Sequence, residues 1–259
     1  MTSSVLYFSP AHTCKKAAEA VYDALSAYGA CTLYSATLPE EREILLKAGI
    51  HTTLLVVICP VYAQRPPTLF SRFLSRLPLS CQGAAAVCLY GGISAGASLN
   101  RMYRLFNRRH IPIYGAASVP SLHSYRNEPH AKLPQKSAPF SLPADFWVRV
   151  RGNLEMKTEI SPPKPRLTLG CLFPQRLAAK LGVRYPKKEK ECAACGICQK
   201  SCPAGVLWEE KALRNSCIRC GACTLFCPHG ARKLRFTCPL PAIYLSLHAK
   251  KPKKPAIFL

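Results

Sequence analysis

One short stretch near the C-terminus constrains this chain more than anything else in it. Cys192-Ala-Ala-Cys195-Gly-Ile-Cys198-Gln-Lys-Ser-Cys202-Pro203 is answered, in the same spacing, by Cys217-Ile-Arg-Cys220-Gly-Ala-Cys223-Thr-Leu-Phe-Cys227-Pro228. Every cysteine recurs 25 positions later, and so do Gly196/Gly221, Pro203/Pro228 and Gly205/Gly230. Three cysteines at two-residue gaps let one tight loop present three thiolates to a compact metal centre. The glycine beside the middle cysteine permits close backbone approach. The fourth cysteine, followed by proline, is expected at the start of a short helix.

Such spacing belongs to metal or redox chemistry when the chain lives in a reducing compartment. The N-terminus, Met-Thr-Ser-Ser-Val-Leu-Tyr-Phe, has no basic leader and no long apolar segment. No run of roughly 18 apolar residues is present, so the expectation is a cytoplasmic protein without a membrane span. Zinc is the alternative occupant, since eight cysteines taken in pairs can build two tetrahedral sites. Zinc sites want two pairs with a long gap between. Four cysteines packed together and then repeated favour [4Fe–4S] clusters.

Residues from about 189 to 236 resemble a bacterial two-cluster ferredoxin, with both copies of the motif complete. The resemblance implies that the fourth cysteine of each run serves the other cluster. It assigns Cys192, Cys195, Cys198 and Cys227 to one [4Fe–4S] cluster, and Cys217, Cys220, Cys223 and Cys202 to the second. The crossing holds the two close enough for electrons to hop between them. The remaining cysteines, Cys14, Cys31, Cys59, Cys81, Cys88, Cys171 and Cys238, stand mostly in apolar runs and are expected as small buried hydrophobes.

The first half alternates two patterns. Apolar runs at 5–8, 31–34, 53–58, 84–90 and 111–117 read as strands, and amphipathic stretches at 15–28, 39–46, 67–77 and 98–109 read as helices. Pro39, Glu40 and Glu41 open the second helix with proline first and acids in the first turn. Leu54-Leu55-Val56-Val57-Ile58 is the continuous run of a strand buried on both faces. Five strands alternating with four helices imply an α/β fold with a five-stranded parallel sheet. Prolines then break the pattern, leaving a last helix near 144–153, a linker near 160–166 and a connecting helix near 173–181. The expected division is a first domain over 1–158, a helix-bearing linker over 159–188 and a small α+β ferredoxin domain over 189–238. A basic tail over 239–259 follows, whose Lys250-Lys251-Pro252-Lys253-Lys254 run is expected in solvent.

A parallel sheet of this kind binds ligands beyond the carboxyl ends of its strands. Ser9-Pro10-Ala11-His12-Thr13 follows the first strand and runs straight into a helix, a setting suited to phosphate. Pro60-Val61-Tyr62 follows the third strand and Tyr90-Gly91-Gly92 the fourth. These supply rings and accessible amides for a flat isoalloxazine. A receiver domain shares the topology but needs acidic residues after strands one and three; Ser9 and Cys59-Pro60 stand there instead.

These loops, with His123-Ser124, resemble flavodoxin-like domains fused to a ferredoxin, and the resemblance covers nearly the whole chain. It implies a flavodoxin-like first domain and FMN as a cofactor. The phosphate loop of that family reads Ser-Pro-Thr-Gly-x-Thr or similar. Here Ala11 replaces the threonine, His12 the glycine and Cys14 the last threonine, so two hydroxyl donors are lost. Histidine also tolerates a positive φ less well than glycine. Ser9, Thr13 and the backbone N–H groups remain, and a protonated His12 would face a phosphate with charge.

The formal net charge is +23, unevenly placed: 12 Lys/Arg against 6 Asp/Glu up to His130, then 24 against 7. Such a surface steers an acidic partner, here a redox protein with an acidic docking face. The expected function is electron transfer through two clusters, to or from FMN. A small flavin-dependent reductase is the alternative, with His12 and His123 as its candidate acid–base groups. A cluster-bearing nucleic-acid-binding protein is a further alternative, though no recognition motif accompanies the charge.

Overall fold

The structure, a computed structural model, describes residues 1–127, 132–136, 138–161, 163–165, 174–207, 212, 215–249 and 253–259. The first half builds β1 (Ser3–Tyr7), α1 (Thr13–Ser26), β2 (Cys31–Ser35), α2 (Pro39–Ala48), β3 (Ile50–Pro60), α3 (Thr68–Arg76), β4 (Leu79–Tyr90), α4 (Ser98–Asn107) and β5 (Ile113–Pro120). All nine expected elements form. Strands β3 and β4 start earlier than their apolar runs, pairing Ile50 with Leu79 and Thr52 with Cys81. Those first residues alternate between exposed and covered, so a search for continuous apolar runs passes over them.

The strands are parallel in the order β2-β1-β3-β4-β5. This is the flavodoxin-like doubly wound order. Alternation along each strand sends side chains to opposite faces. Leu6, Leu55, Val57 and Ala86 meet Phe70, Leu74, Met102 and Phe106 from α3 and α4. Val5, Leu54, Val56, Ile58 and Val87 meet Ala17, Val21 and Leu25 of α1, and Trp147 and Val150 of α5 (Phe146–Glu155).

The second half builds α6 (Gln175–Gly182), β6 (Val183–Arg184), α7 (Ile197–Lys200), α8 (Ala222–Leu225), β7 (Arg235–Phe236), α9 (Pro239–His248) and β8 (Ala256–Phe258). β6 and β7 pair antiparallel and close the two ends of the cysteine repeat against each other. The repeat is also visible in the backbone: Ala194/Arg219, Gly196/Gly221 and Gly205/Gly230 all adopt positive φ. The expected helix after each fourth cysteine is corrected. The short helices α7 and α8 precede it, started by Gly196 at φ 75° and Gly221 at φ 80°, and the prolines after Cys202 and Cys227 stop them.

The expected tail is also corrected. α9 packs Ala242 and Leu245 inward, and β8 adds a sixth, antiparallel strand to the sheet edge, pairing Ala116 with Phe258 and Ser118 with Ala256. A free sheet edge favours such pairing, and Ile257 and Leu259 join the α1/α5 core. Of the lysine run expected in solvent, Lys254 is exposed, whereas half-buried Lys253 donates to the Ile93 carbonyl. Lys250, Lys251 and Pro252, like Cys171, Phe173 and parts of the expected linker, lie outside the described residues. Among the described residues no helix is long and apolar enough to cross a membrane.

Candidate functional site

The eight cysteines of the repeat fall into two groups. Cys192, Cys195 and Cys198 share a small cavity with Cys227. Cys217, Cys220 and Cys223 share another with Cys202. Each loop thus closes around a thiol borrowed from the other copy. Each quartet rings a space; among the described residues no three His, Cys, Asp or Glu side chains converge on a single ion. Backbone amides approach the sulphurs, with Arg219 N–H donating to Cys217 Sγ at 3.4 Å and Ala231 N–H to Cys227 Sγ at 3.3 Å. Such bonds offset thiolate charge and suit an anionic cluster. The quartets differ in exposure. Cys202, Cys220 and Cys223 are buried, whereas Cys195 is exposed and Cys192, Cys198 and Cys227 are half-buried. With half-buried Cys217, the first three make the inner quartet; the other four make the outer.

A larger cavity of about 310 Å³ opens at the carboxyl ends of β1, β3, β4 and β5, a volume in the range of small-molecule sites. Ser9, Pro10, Ala11, Thr13, Pro60, Val61, Tyr62, Tyr90 and Gly91 line it. His12 and Gly92 do not. Among the described residues no Lys, Arg, Asp or Glu contributes to the lining.

One end of the cavity is the N-terminus of α1. Thr13 and Cys14 open α1, where amides have no carbonyl behind them and the helix dipole is positive. Buried Ser9 accepts a bond from Lys15 N–H at 2.9 Å, and its own N–H donates to Thr37 Oγ1 at 2.9 Å. His12 does take the left-handed conformation expected of the replaced glycine, at φ 62°. Its ring turns away, packing 4.4 Å from the ring of Phe226. Burial, and then Lys15, lower its pKa. The expectation of a charged His12 facing a phosphate is therefore corrected.

The middle of the cavity offers two neutral donors. The Tyr62 hydroxyl is buried and has no hydrogen-bond partner among the described residues, and burial raises its pKa, keeping its proton in place. Its loop is a tight turn in which Ala63 and Gln64 both take positive φ, of 45° and 63°, a strain characteristic of ligand-facing loops. Gln175, the first residue of α6, clamps that loop by donating to Tyr62 O at 2.6 Å and accepting from Thr68 N–H at 2.7 Å. His123 packs directly against Gly91, where a Cβ would sit 2.5 Å from His123 Cδ2. His123 Nδ1 accepts Tyr125 N–H at 3.1 Å, which places the neutral ring's proton on Nε2. Burial lowers its pKa to about 4.

The far wall was not expected from sequence. Ile218 from the cysteine repeat, Phe236 after it, and Tyr244 and Leu245 of α9 close the cavity. Tyr125 joins the two sites directly, its hydroxyl donating to Arg219 O at 2.5 Å. Gly221 lies so close that a Cβ would meet Ser124 O at 3.1 Å. His123-Ser124 was the one signal on this side; Tyr125, Gln175, Phe236 and Tyr244 carried none.

Residues 189–205 and 214–233 each match a 4Fe-4S binding domain family. The C-terminal module is a ferredoxin-type 4Fe–4S domain. No curated protein matches the chain in sequence. Among solved structures, the rubredoxin:oxygen oxidoreductase of the anaerobe Desulfovibrio gigas is 12% identical with a TM-score of 0.38, aligning 60% of this chain with 36% of that one. A flavodoxin from the domain Archaea is 13% identical at TM-score 0.37, over 60% and 96% of the two chains. The apo form of the NADH:FMN oxidoreductase EmoB is 15% identical at TM-score 0.40, over 65% and 95%.

Proposed function

We propose that the chain is an electron-relay flavoprotein: the outer quartet and the inner quartet each ligate one [4Fe–4S] cluster, and the cavity holds FMN. FMN supplies conversion between one-electron and two-electron steps. Residues of this chain do the rest. The N-terminus of α1, with Ser9 and Thr13, fits the phosphate. Tyr62 and His123 offer neutral donors, while Pro60, Val61 and Gly91 form walls against a flat ring. Helices α6 and α9 exclude water. The first domain, over about 1–158, is the flavin half, and 189–238 the cluster half.

The observation that carries this reading is the shared wall between cavity and inner quartet. Ile218 lines both, and Tyr125 spans them through its bond to Arg219 O. The outer quartet faces solvent through Cys195 and the exposed Ile197. Exposed Lys187, Lys188, Lys190 and Lys200 stand around it in sequence, which suits docking of an acidic one-electron partner. A cavity closed by α6 and α9 leaves little room for a second substrate, so a relay fits better than a reductase.

Anaerobic purification with iron, sulphide and flavin assayed together tests the proposal. About eight iron, about eight sulphide and about one FMN per chain are expected. The same iron with no flavin, even after FMN is added, removes the flavin half. Zinc in place of iron removes the cluster half.

A further inference from the structure

Among the described residues, two charged side chains are buried: Arg42 at 7% exposure and Arg219 at 6%. Arg219 lines the cavity of the inner quartet, and Arg42 bonds Pro203, which lines it too. Arg219 stands between Cys217 and Cys220 and lines their cavity. Its Nε donates to Val183 O at 3.0 Å and its Nη1 to Cys217 O at 2.6 Å. Arg42 comes from α2, in the other half of the molecule. Its Nη1 donates to Ala36 O at 3.1 Å and Thr37 O at 2.6 Å, and its Nη2 to Pro203 O at 2.6 Å, the residue after Cys202.

All these acceptors are neutral carbonyls. The carboxylates whose field reaches Arg42, Glu41 first, make no bond to it among the described residues; Glu41 accepts instead from the Ser35 hydroxyl at 2.7 Å and Leu38 N–H at 2.8 Å. A buried guanidinium with no anion bonded to it is disfavoured. Four neutral thiols supply no counter-charge, whereas a cluster with four thiolate ligands carries a net negative charge.

We infer that Arg42 and Arg219 are the counter-charges of the cluster in the inner quartet, and that they set its reduction potential above that of the outer one. The inference rests on the two-cluster reading. Reduction adds one negative charge, and buried positive charge at short range favours that state. Among the described residues the outer quartet has no such pair. Arg232 lines its cavity, but is half-buried, bonded to Pro186 O at 3.0 Å, and more open to screening. The step is a single electron leaving the outer centre, which is oxidised, and arriving at the inner one, which is reduced; no bond or proton moves. Its reductant is a low-potential one-electron donor protein docked on the outer face. The two arginines thus give the relay a direction, parking the electron beside the cavity wall.

The test is a potentiometric titration of the fully loaded chain, followed by electron paramagnetic resonance. Wild type should show two separate midpoints, with the inner signal identified by its perturbation in Cys202→Ser. Arg42→Gln and Arg219→Gln should each lower the higher midpoint and leave the lower one in place, while Arg42→Lys should restore it. Equal shifts in both clusters, a shift confined to the outer one, or no shift overturns the inference. If Arg42→Gln fails to load, iron falling from about eight to about four with full loading in Arg42→Lys supports a charge requirement. Loss in both variants shows that shape, not charge, was needed. A wild-type chain without two clusters refutes the reading beneath, before any variant is made.

Discussion

The sheet layer and the ferredoxin module are held together by different physics. The largest fully buried side chains, among them Phe8, Phe70, Phe106, Phe146, Leu55 and Ile58, all belong to the sheet and its helices. The module's own buried cluster is Cys202, Val206, Leu207 and Cys223, none of them fully sealed. Apolar burial at roughly 25 cal/mol per Å² can fold the first. The second has too little of it and depends on metal–ligand bonds, as small metal-bound domains do. One chain therefore contains a part that should stand without cofactors and a part that should not.

The largest effect should come from removing iron. Under anaerobic chelation, amide hydrogen exchange should lose its protection over 189–205 and 217–236, while β3 and β4 keep theirs. Simultaneous loss in both regions would mean that the halves fold as one unit, and the contrast would fail. The converse comes from the sheet. Phe70 stacks on Phe8 at 5.3 Å and on Phe73 at 6.1 Å between ring centres. Phe70→Ala should cost about 3–5 kcal/mol of stability by denaturant unfolding of the sheet, with iron content unchanged below the transition. Iron lost in proportion to stability would show that the module leans on the sheet for more than attachment.

Sequence reading succeeded in both regions for opposite reasons. The module is legible because ligation chemistry fixes the spacing of Cys192 to Cys202 and of Cys217 to Cys227. The sheet is legible because Leu54 to Ile58 and Ala84 to Tyr90 must be apolar on both faces. What joins the regions was not legible. Ala256-Ile257-Phe258 is too short to announce a strand, and its partner β5 lies far back in the chain. Gln175, Tyr125 and Arg42 look ordinary in sequence; each acts on a loop distant along the chain, and only folding brings the two together.

A smaller effect should separate the empty cavity from the filled one. Tyr62 buries a hydroxyl without a partner among the described residues, and an unmet buried donor costs about 1–3 kcal/mol. Tyr62→Phe should therefore hold or raise the stability of the flavin-free chain, yet weaken FMN binding by roughly fivefold to tenfold, equivalent to about 1 kcal/mol. Fluorescence titration with FMN and thermal unfolding read the two signs separately. A loss of stability without a loss of affinity would show that the hydroxyl serves the fold and not a ligand.

The smallest effect concerns His12, the residue at which loop and module touch. Its left-handed backbone costs about 1–2 kcal/mol relative to glycine, and its stacking on Phe226 returns about 0.5–1.5 kcal/mol. His12→Gly removes both, so stability near pH 7 should change little. The pH dependence should change more clearly. Burial and Lys15 hold the folded pKa below the usual 6.5. As pH falls through 6.5, the unfolded chain takes up a proton that the folded one resists, so His12 lowers stability on the acid side. His12→Gly should keep more of its neutral-pH stability below pH 6.5 than wild type does. FMN affinity should change by less than about twofold across pH 6 to 8, since the ring lies outside the cavity and carries no charge for the phosphate. A steep acid-side gain in wild-type FMN affinity, abolished by His12→Gly, would place the protonated ring back against the ligand.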